Sequence, residues 1–286
     1  MKKIINGQEI AKELRLKIGE EVRKFSVQPR LAVIMVGEDP ASRIYVRNKA
    51  KACEECGILS DQYELAADAA EEDVVRLIKK LNSDPTAHGI LIQLPLPSHI
   101  EKNKIINALD PAKDADCFHP VNVGKMFLGE EKDIVLPCTP KGCMILLKSA
   151  CANLEGKRAV VIGRSNIVGK PMAQLLLNEN CSVSILHSRT QNIADEIRRG
   201  DIVVAAIGKG KFLKKEMLRD GAIVIDVGIN RTEDGKICGD VDFDDVIDKC
   251  SFITPVPKGV GPMTVACLLQ NLLILYKKQL QITCPK

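Results

Sequence analysis

The sequence predicts an α/β protein: two α/β domains flanking a cleft, the second a doubly wound parallel sheet. Short apolar runs at residues 30–37, 90–94, 159–163, 202–207, 223–227 and 252–254 read as buried strands, with helical patterns between them. A glycine-bearing turn, Gly163 to Gly169, joins one such run to a helix with Pro171 in its first turn. A long apolar helix closes the chain and is expected to return to the first domain. The expected division is a discontinuous first domain, residues 1–140 plus 262–286, and a second of residues 141–261.

The turn at Gly163 aims backbone N–H groups and the positive end of a helix at one spot, which suits a phosphate. It is not a full G-x-G-x-x-G, because Ser165 holds the middle glycine position. Nor is it a Walker A loop, since Pro171 stands where the metal-binding Ser or Thr would follow Lys170. A tight turn with no ligand would have the same sequence. The second strand of this half, 181–186, ends where a Rossmann-type sheet that takes NAD ordinarily places an acid for the ribose hydroxyls. Here the residues are His187-Ser188-Arg189-Thr190, with no carboxylate. Arg164, Ser165, Ser188 and Arg189 suit a 2′-phosphate instead, so NADP is expected rather than NAD. Arg189 reads equally well as a solvated arginine.

With 41 basic and 37 acidic residues, the net charge of +4 forms no long basic stripe, so nucleic acid is not the expected partner. No apolar core suited to a secretory signal follows the N-terminal lysines. The apolar stretch from Val265 to Tyr276 is short for a membrane span and is interrupted by Gln270 and Asn271. The 11 cysteines then imply free thiols in a reducing, cytoplasmic setting. Cys53 and Cys56 form a lone C-x-x-C without a second pair or a histidine cluster, which favours helix packing over zinc or redox chemistry, and no metal is expected.

In chain order, a first helix covers roughly Gly7 to Phe25, and Pro40 opens another that runs to about Cys56 and closes at Gly57. Ser42, Tyr45, Lys49 and Cys53 share one face of it. A lysine one turn from an aromatic ring suggests a site, although a snorkelling lysine has the same pattern. A helix at about Glu71 to Asn82 precedes the strand at 90–94, in which Gln93 is the one polar residue and must be hydrogen-bonded if buried. Asp110, Asp114 and Asp116 follow in a loop and read first as solvated turn acids. A helix is expected from about Cys143 to Ala150, and a rigid loop from Pro255 to Thr264 before the last helix.

Nine ordered segments then carry a resemblance: Y-V-R-N-K (45–49), I-L-I-Q-L-P-L-P (90–97), K-D-A-D (113–116), P-C-T-P-K-G (137–142), G-R-S-N-I-V-G-K-P (163–171), H-S-R-T (187–190), D-V-G-I-N (226–230), G-D-V (239–241) and P-V-P-K-G-V-G-P-M-T (255–264). Together they resemble the bifunctional methylenetetrahydrofolate dehydrogenase/methenyltetrahydrofolate cyclohydrolase enzymes, over nearly the whole chain. The resemblance implies that NADP⁺ oxidises 5,10-methylenetetrahydrofolate to the methenyl cation, which water opens to 10-formyltetrahydrofolate. It also implies a homodimer with tetrahydrofolate derivatives as substrates. One alternative is a dehydrogenase with little cyclohydrolase activity; another is a dinucleotide-binding protein without turnover.

By the same resemblance, Lys49 would be the general acid/base, its pKa lowered by desolvation, with Gln93 bonded to it. Tyr45 would stack on the folate and Asp116 would accept from the pterin N–H groups. Ile92, Leu94, Pro257, Gly259, Val260, Gly261 and Pro262 would line the folate site. Gly163, Arg164, Ser165, Ser188 and Ile229 would bind NADP. Two positions depart from the family pattern, each replacing a glycine: Cys117 after the pterin-binding aspartate, and Lys258 in the P-G-G-V-G segment.

Overall fold

Parallel strands can only be joined by crossovers, and the two parallel sheets among the described residues alternate strands with helices for that reason. The computed structural model describes residues 3–129, 133–232 and 234–280. The chain divides into two compact units, one of Glu13–Leu136 with Leu268–Lys286, the other of Met1–Lys12 with Pro137–Cys267.

After α1 (Gly7–Val22), the first of these units runs β1 (Arg30–Val36), α2 (Pro40–Glu55), β2 (Leu59–Leu65), α3 (Glu71–Ser83), β3 (Gly89–Ile92), α4 (Lys102–Ala108) and α5 (Pro120–Leu128). The sheet order is β2-β1-β3, all parallel, with Arg30 opposite Leu59 and Leu31 opposite Gly89. β1 is central and Leu31 to Val36 are all buried. Its alternate residues Ala32, Ile34 and Val36 pack with Val74, Ile78 and Leu81 of α3 and Ile105 of α4. Each of these Val, Leu and Ile side chains contributes about 1.5–3 kcal/mol by leaving water. α3 begins with Glu71, Glu72 and Asp73, as the positive end of a helix favours. β2, α4 and α5 have no counterpart in the sequence reading. β2 is a polar edge strand, Leu59-Ser60-Asp61-Gln62-Tyr63-Glu64-Leu65, and lacks the apolar run that marks a covered strand.

The other unit contains α6 (Cys138–Ala150), β4 (Arg158–Ile162), α7 (Gly169–Asn178), β5 (Ser182–Leu186), α8 (Ile193–Arg198), β6 (Ile202–Ala205), β7 (Ile223–Asp226), the hairpin β8 (Asn230–Arg231) and β9 (Ile237–Cys238), α9 (Phe243–Val246) and β10 (Phe252–Ile253). Its sheet order is β10-β7-β6-β4-β5, parallel throughout. The chain steps outward from β4 to β5 and then crosses back over β4 to β6, so the winding reverses at the carboxyl ends of β4 and β6. The N-terminal residues join this unit because Ile5 N donates to Ile253 O (2.8 Å) and Ile253 N to Lys3 O (2.8 Å).

The last helix, α10 (Val260–Gln279), belongs to both units, divided after Cys267. It starts five residues earlier than the sequence suggested, since Pro262 falls in the first turn, where no N–H is missed. For the same reason α6 starts at Cys138, with Pro140 in its first turn. At 20 residues α10 is long and apolar enough to cross a membrane, so length no longer argues against a span; 67% of its most apolar window is buried inside the protein. Asn271, with no exposure, donates to Ala115 O (2.9 Å) and Leu136 O (2.7 Å). The polar break in the apolar pattern is therefore a tether for the segment that leads into Asp116.

Cys117 and Lys258, the two positions at which the resemblance leads one to expect glycine, have a glycine-like backbone: φ is 59° at Cys117 and 82° at Lys258. Cys117 is fully buried and its thiol donates to Val135 O (3.3 Å), which offsets the strain. Lys258 is exposed, with no such return.

Two buried aspartates hold the loops after β6 and β7. Asp226 Oδ1 accepts from Gly228 N (3.2 Å) and Asp240 N (2.9 Å), and its Oδ2 from Val241 N (3.1 Å). A Cβ on Gly239 would overlap Asp226 Oδ2, so this close approach requires glycine. Burial raises the Asp226 carboxyl to about 7, with Asp240 adding to the rise and the three N–H donors opposing it.

Two outcomes are expected. Because the folded-state pKa of Asp226 lies above the unfolded value, its contribution is complete below about pH 4 and is lost as pH rises through about 7. The stability of the parent relative to Asp226→Asn should therefore fall between these limits by up to about 4 kcal/mol, as read from urea unfolding at several pH values. A difference that grows with pH would reverse the assignment. At Lys258, thermal unfolding should rank the glycine variant at or above the parent and Lys258→Ile lowest, by about 1–2 kcal/mol, because a β-branched residue suits positive φ least.

Candidate active site

Asp39 accepts from Ser42 N (2.7 Å) and so caps α2, while Pro40 takes the first helical position. The backbone N–H of Ser42, joined by its hydroxyl, holds the Asp39 carboxyl below its usual range. The helix turns the face of Ser42, Tyr45, Lys49 and Cys53 inward: Ser42 and Cys53 are buried, Tyr45 is half-buried and Lys49 is 8% exposed. Lys49 Nζ donates to Gln93 Oε1 (2.9 Å). Gln93 follows β3, and its N bonds Ile34 O (2.8 Å), so the sheet fixes its backbone. Its side-chain NH₂ donates to Leu94 O (2.7 Å), which orients the amide with the oxygen toward the lysine. Ile92 is buried and Leu94 half-buried on either side.

Burial pushes the Cys53 thiol up to about 12, with nearby Lys49 opposing the rise, and raises the Tyr45 phenol. Cys56 donates to Arg15 O (3.4 Å). Neither cysteine of the C-x-x-C pair has the depressed pKa of a reactive thiol. Among the described residues, no group of three or more His, Cys, Asp or Glu is placed to hold a metal ion.

Of the acids at 110–116, Asp114 is not the solvated turn residue that the sequence first suggested. Asp110 accepts from Ala112 N (2.8 Å), and Asp114, 1% exposed, accepts from Phe118 N, His119 N and Asn122 Nδ2. Lys113 is buried and donates to Leu81 O (2.9 Å) and Asp84 O (2.6 Å) at the carboxyl end of α3. These contacts, with the Asn271 tether, leave Asp116 half-buried in the turn just beyond. The sequence held one signal for them, a lysine and an aspartate in consecutive positions next to apolar residues.

In the other unit, the remaining site residues lie beyond the carboxyl ends of parallel strands: Gly163, Arg164 and Ser165 after β4, Ser188 after β5, Ile229 after β7 and Pro257 after β10. Gly163 has φ 127°, and a Cβ there would overlap the Ala206 carbonyl after β6. The helix-start N–H groups of α7 are not all open: Ser165 Oγ accepts from Val168 N (3.2 Å) and Gly169 N (3.3 Å), and Ser165 O from Lys170 N (3.1 Å). The N–H groups of Arg164, Ser165, Asn166 and Ile167 donate to no acceptor among the described residues. Arg164, Ser188 and Arg189 are exposed, and Arg189 N donates to His187 Nδ1 (3.2 Å). Open N–H groups, two guanidinium groups and hydroxyls, with no carboxylate at 187–190, fit a phosphorylated dinucleotide. Gly259 and Val260 are buried, Gly261 and Pro262 are half-buried in the first turn of α10, and Pro257 is exposed.

Residues 5–116 match the catalytic domain of tetrahydrofolate dehydrogenase/cyclohydrolase, and residues 137–280 its NAD(P)-binding domain. The bifunctional protein FolD of Listeria innocua is 55% identical over 276 residues, 96% of each chain. The crystal structure of the bifunctional enzyme FolD from Campylobacter jejuni superposes with a TM-score of 0.93 at 47% identity, covering 96% of this chain and 98% of that one. The Trypanosoma brucei enzyme, solved with NADP cofactor and inhibitor, gives 0.93 at 40% identity over 97% and 98% of the two chains. With both domains matched in order and at this identity, the chain belongs to the tetrahydrofolate dehydrogenase/cyclohydrolase family.

Proposed function

We propose that Lys49 is the general acid/base of the cyclohydrolase step, in an enzyme that oxidises 5,10-methylenetetrahydrofolate with NADP⁺ and hydrolyses the methenyl product to 10-formyltetrahydrofolate. The observation that carries this is the buried 2.9 Å bond from Lys49 Nζ to Gln93 Oε1. NADP⁺, when bound, supplies the hydride acceptor for the first step. The product of that step is already a cation, so hydrolysis needs proton transfers rather than an oxyanion hole. Lys49 takes a proton from the water that adds to the methenyl carbon, and a proton reaches the ring nitrogen as the C–N bond opens. Gln93 suits its role because a neutral amide positions the amine without pairing its charge, as a carboxylate would.

Asp116 provides acceptor-only oxygens for pterin N–H groups, and Tyr45 stacks on the ring as a neutral phenol. Ile92, Leu94 and the segment Pro257 to Pro262 line the folate site. Arg164, Ser165 and Ser188 hold the 2′-phosphate of NADP, with Gly163 beneath the dinucleotide and Ile229 beside it. A cytoplasmic homodimer completes the reading. None of the described cysteines forms a disulfide, and β5 leaves a sheet edge open in the nucleotide-binding unit, with Ile185 42% exposed.

Incubation with 5,10-methylenetetrahydrofolate and NADP⁺ should produce NADPH absorbance; none with active substrate would leave only a binding protein. Lys49→Met, which keeps the apolar stem, should slow methenyl hydrolysis by about 10²-fold or more while nucleotide binding persists. Equal hydrolysis by variant and parent would sink the Lys49 role. Arg164→Ala should weaken NADP⁺ by about 10- to 100-fold and leave NAD⁺ nearly unchanged, measured by calorimetric titration. Equal weakening of both would remove Arg164 from the 2′-phosphate.

A further inference from the structure

Asp240 has no solvent exposure, yet its carboxylate takes four hydrogen bonds, all as acceptor. Oδ2 accepts from Ile207 N (2.7 Å) and Gly208 N (3.0 Å), and Oδ1 from Lys209 N (2.8 Å) and Asn230 Nδ2 (2.9 Å). The first three donors form the loop after β6, which begins at the point where the winding of the sheet reverses. The fourth, Asn230, stands directly after Ile229, at the start of β8 where the loop after β7 ends. Asp240 is itself seated: its N donates to Asp226 Oδ1 (2.9 Å), and its carbonyl accepts from Leu213 N (2.9 Å). One carboxylate thus ties two loops together at the carboxyl edge of the nucleotide-binding sheet. Next to this tie Ile229 is 51% exposed, a large apolar side chain kept at the surface by a fixed backbone.

We propose that Asp240 is a positioning residue of the dehydrogenase: by clamping the loop Ile207 to Lys209 and the loop Gly228 to Asn230 to each other, it sets where Ile229 meets the dinucleotide. The inference rests on the NADP reading given above and deepens it. Only an acceptor-only group fits, because every partner of the two oxygens is an N–H donor. An asparagine would turn one oxygen into an NH₂ facing those donors. Asp240 touches no reacting atom and leaves the residues around Lys49 alone, so its loss should divide the two activities.

In Asp240→Asn, the KM for NADP⁺ should rise about tenfold or more and dehydrogenase kcat/KM fall with it, while hydrolysis of added methenyltetrahydrofolate without nucleotide stays within about twofold of the parent. In the same variant without nucleotide, amide hydrogen exchange at Ile207, Gly208 and Lys209 should speed up. Asn230→Ala, which removes one contact and keeps the buried charge satisfied by three donors, tests the clamp even if Asp240→Asn folds poorly. It should raise the NADP⁺ KM by about 3- to 10-fold with little change in thermal midpoint. Faster exchange with an unchanged NADP⁺ KM would overturn the positioning role and leave the cofactor reading standing. Parallel loss of both activities with falling thermal stability in both variants would reduce Asp240 to a structural role and overturn the proposal. A parent protein that binds no NADP⁺ would overturn the cofactor reading first, and this inference with it.

Discussion

A lysine with 8% exposure needs an acceptor in place, because a buried ammonium left unpaired is strongly destabilising. Gln93 Oε1 is that acceptor, and much of the local structure serves to keep it there. The strand β3 fixes the glutamine backbone against β1, Leu94 O fixes the rotation of its amide, and the cap at Asp39 starts the helix that carries Lys49. The pairing is neutral on one side, so the lysine is held without an ion pair that would occupy its proton. That distinction separates the proposed site of proton transfer from a structural salt bridge such as Arg30 with Asp61.

Elsewhere the same economy of acceptors and donors appears in structural form. Asp114 collects three N–H donors, Asp226 three and Asp240 four, each holding a loop that has no ladder of its own. Lys113 and Asn271 do the converse for carbonyls, at the end of α3 and around Ala115. Buried polar groups of this kind rarely add net stability against an apolar alternative, but they specify one geometry. In this protein the loops so specified are those that carry or adjoin the proposed site residues.

The covered strands β1, β4, β6 and β7 were legible in the sequence because helices on both faces demand continuous apolar runs, and β2 was not because an edge strand is free to be polar. The early starts of α6 and α10 were hidden by Pro140 and Pro262, which read as breakers until the first turn is seen to tolerate them. Spacing placed Tyr45 and Lys49 on one helix face, and Gln93 drew notice as the one polar residue in its run. Asp240 offered no comparable local sign: its donors come from elsewhere in the fold, up to 33 positions away, and only the folded chain gathers them. Cys117 and Lys258 show a further limit, since a side chain gives no notice that its backbone has stayed in the left-handed region.

None of the ten described cysteines forms a disulfide, and eight are buried. Burial raises the thiols of Cys56, Cys250 and Cys267 to about 11 and of Cys53 to about 12, and raises Cys143 and Cys181 as well. These six thiols are therefore poor targets for alkylating reagents and peroxide, which attack the thiolate. The emerging polypeptide has no such shelter. Its thiols are open to oxidation until each unit folds around its own, so the completion of folding is also the event that ends this vulnerability.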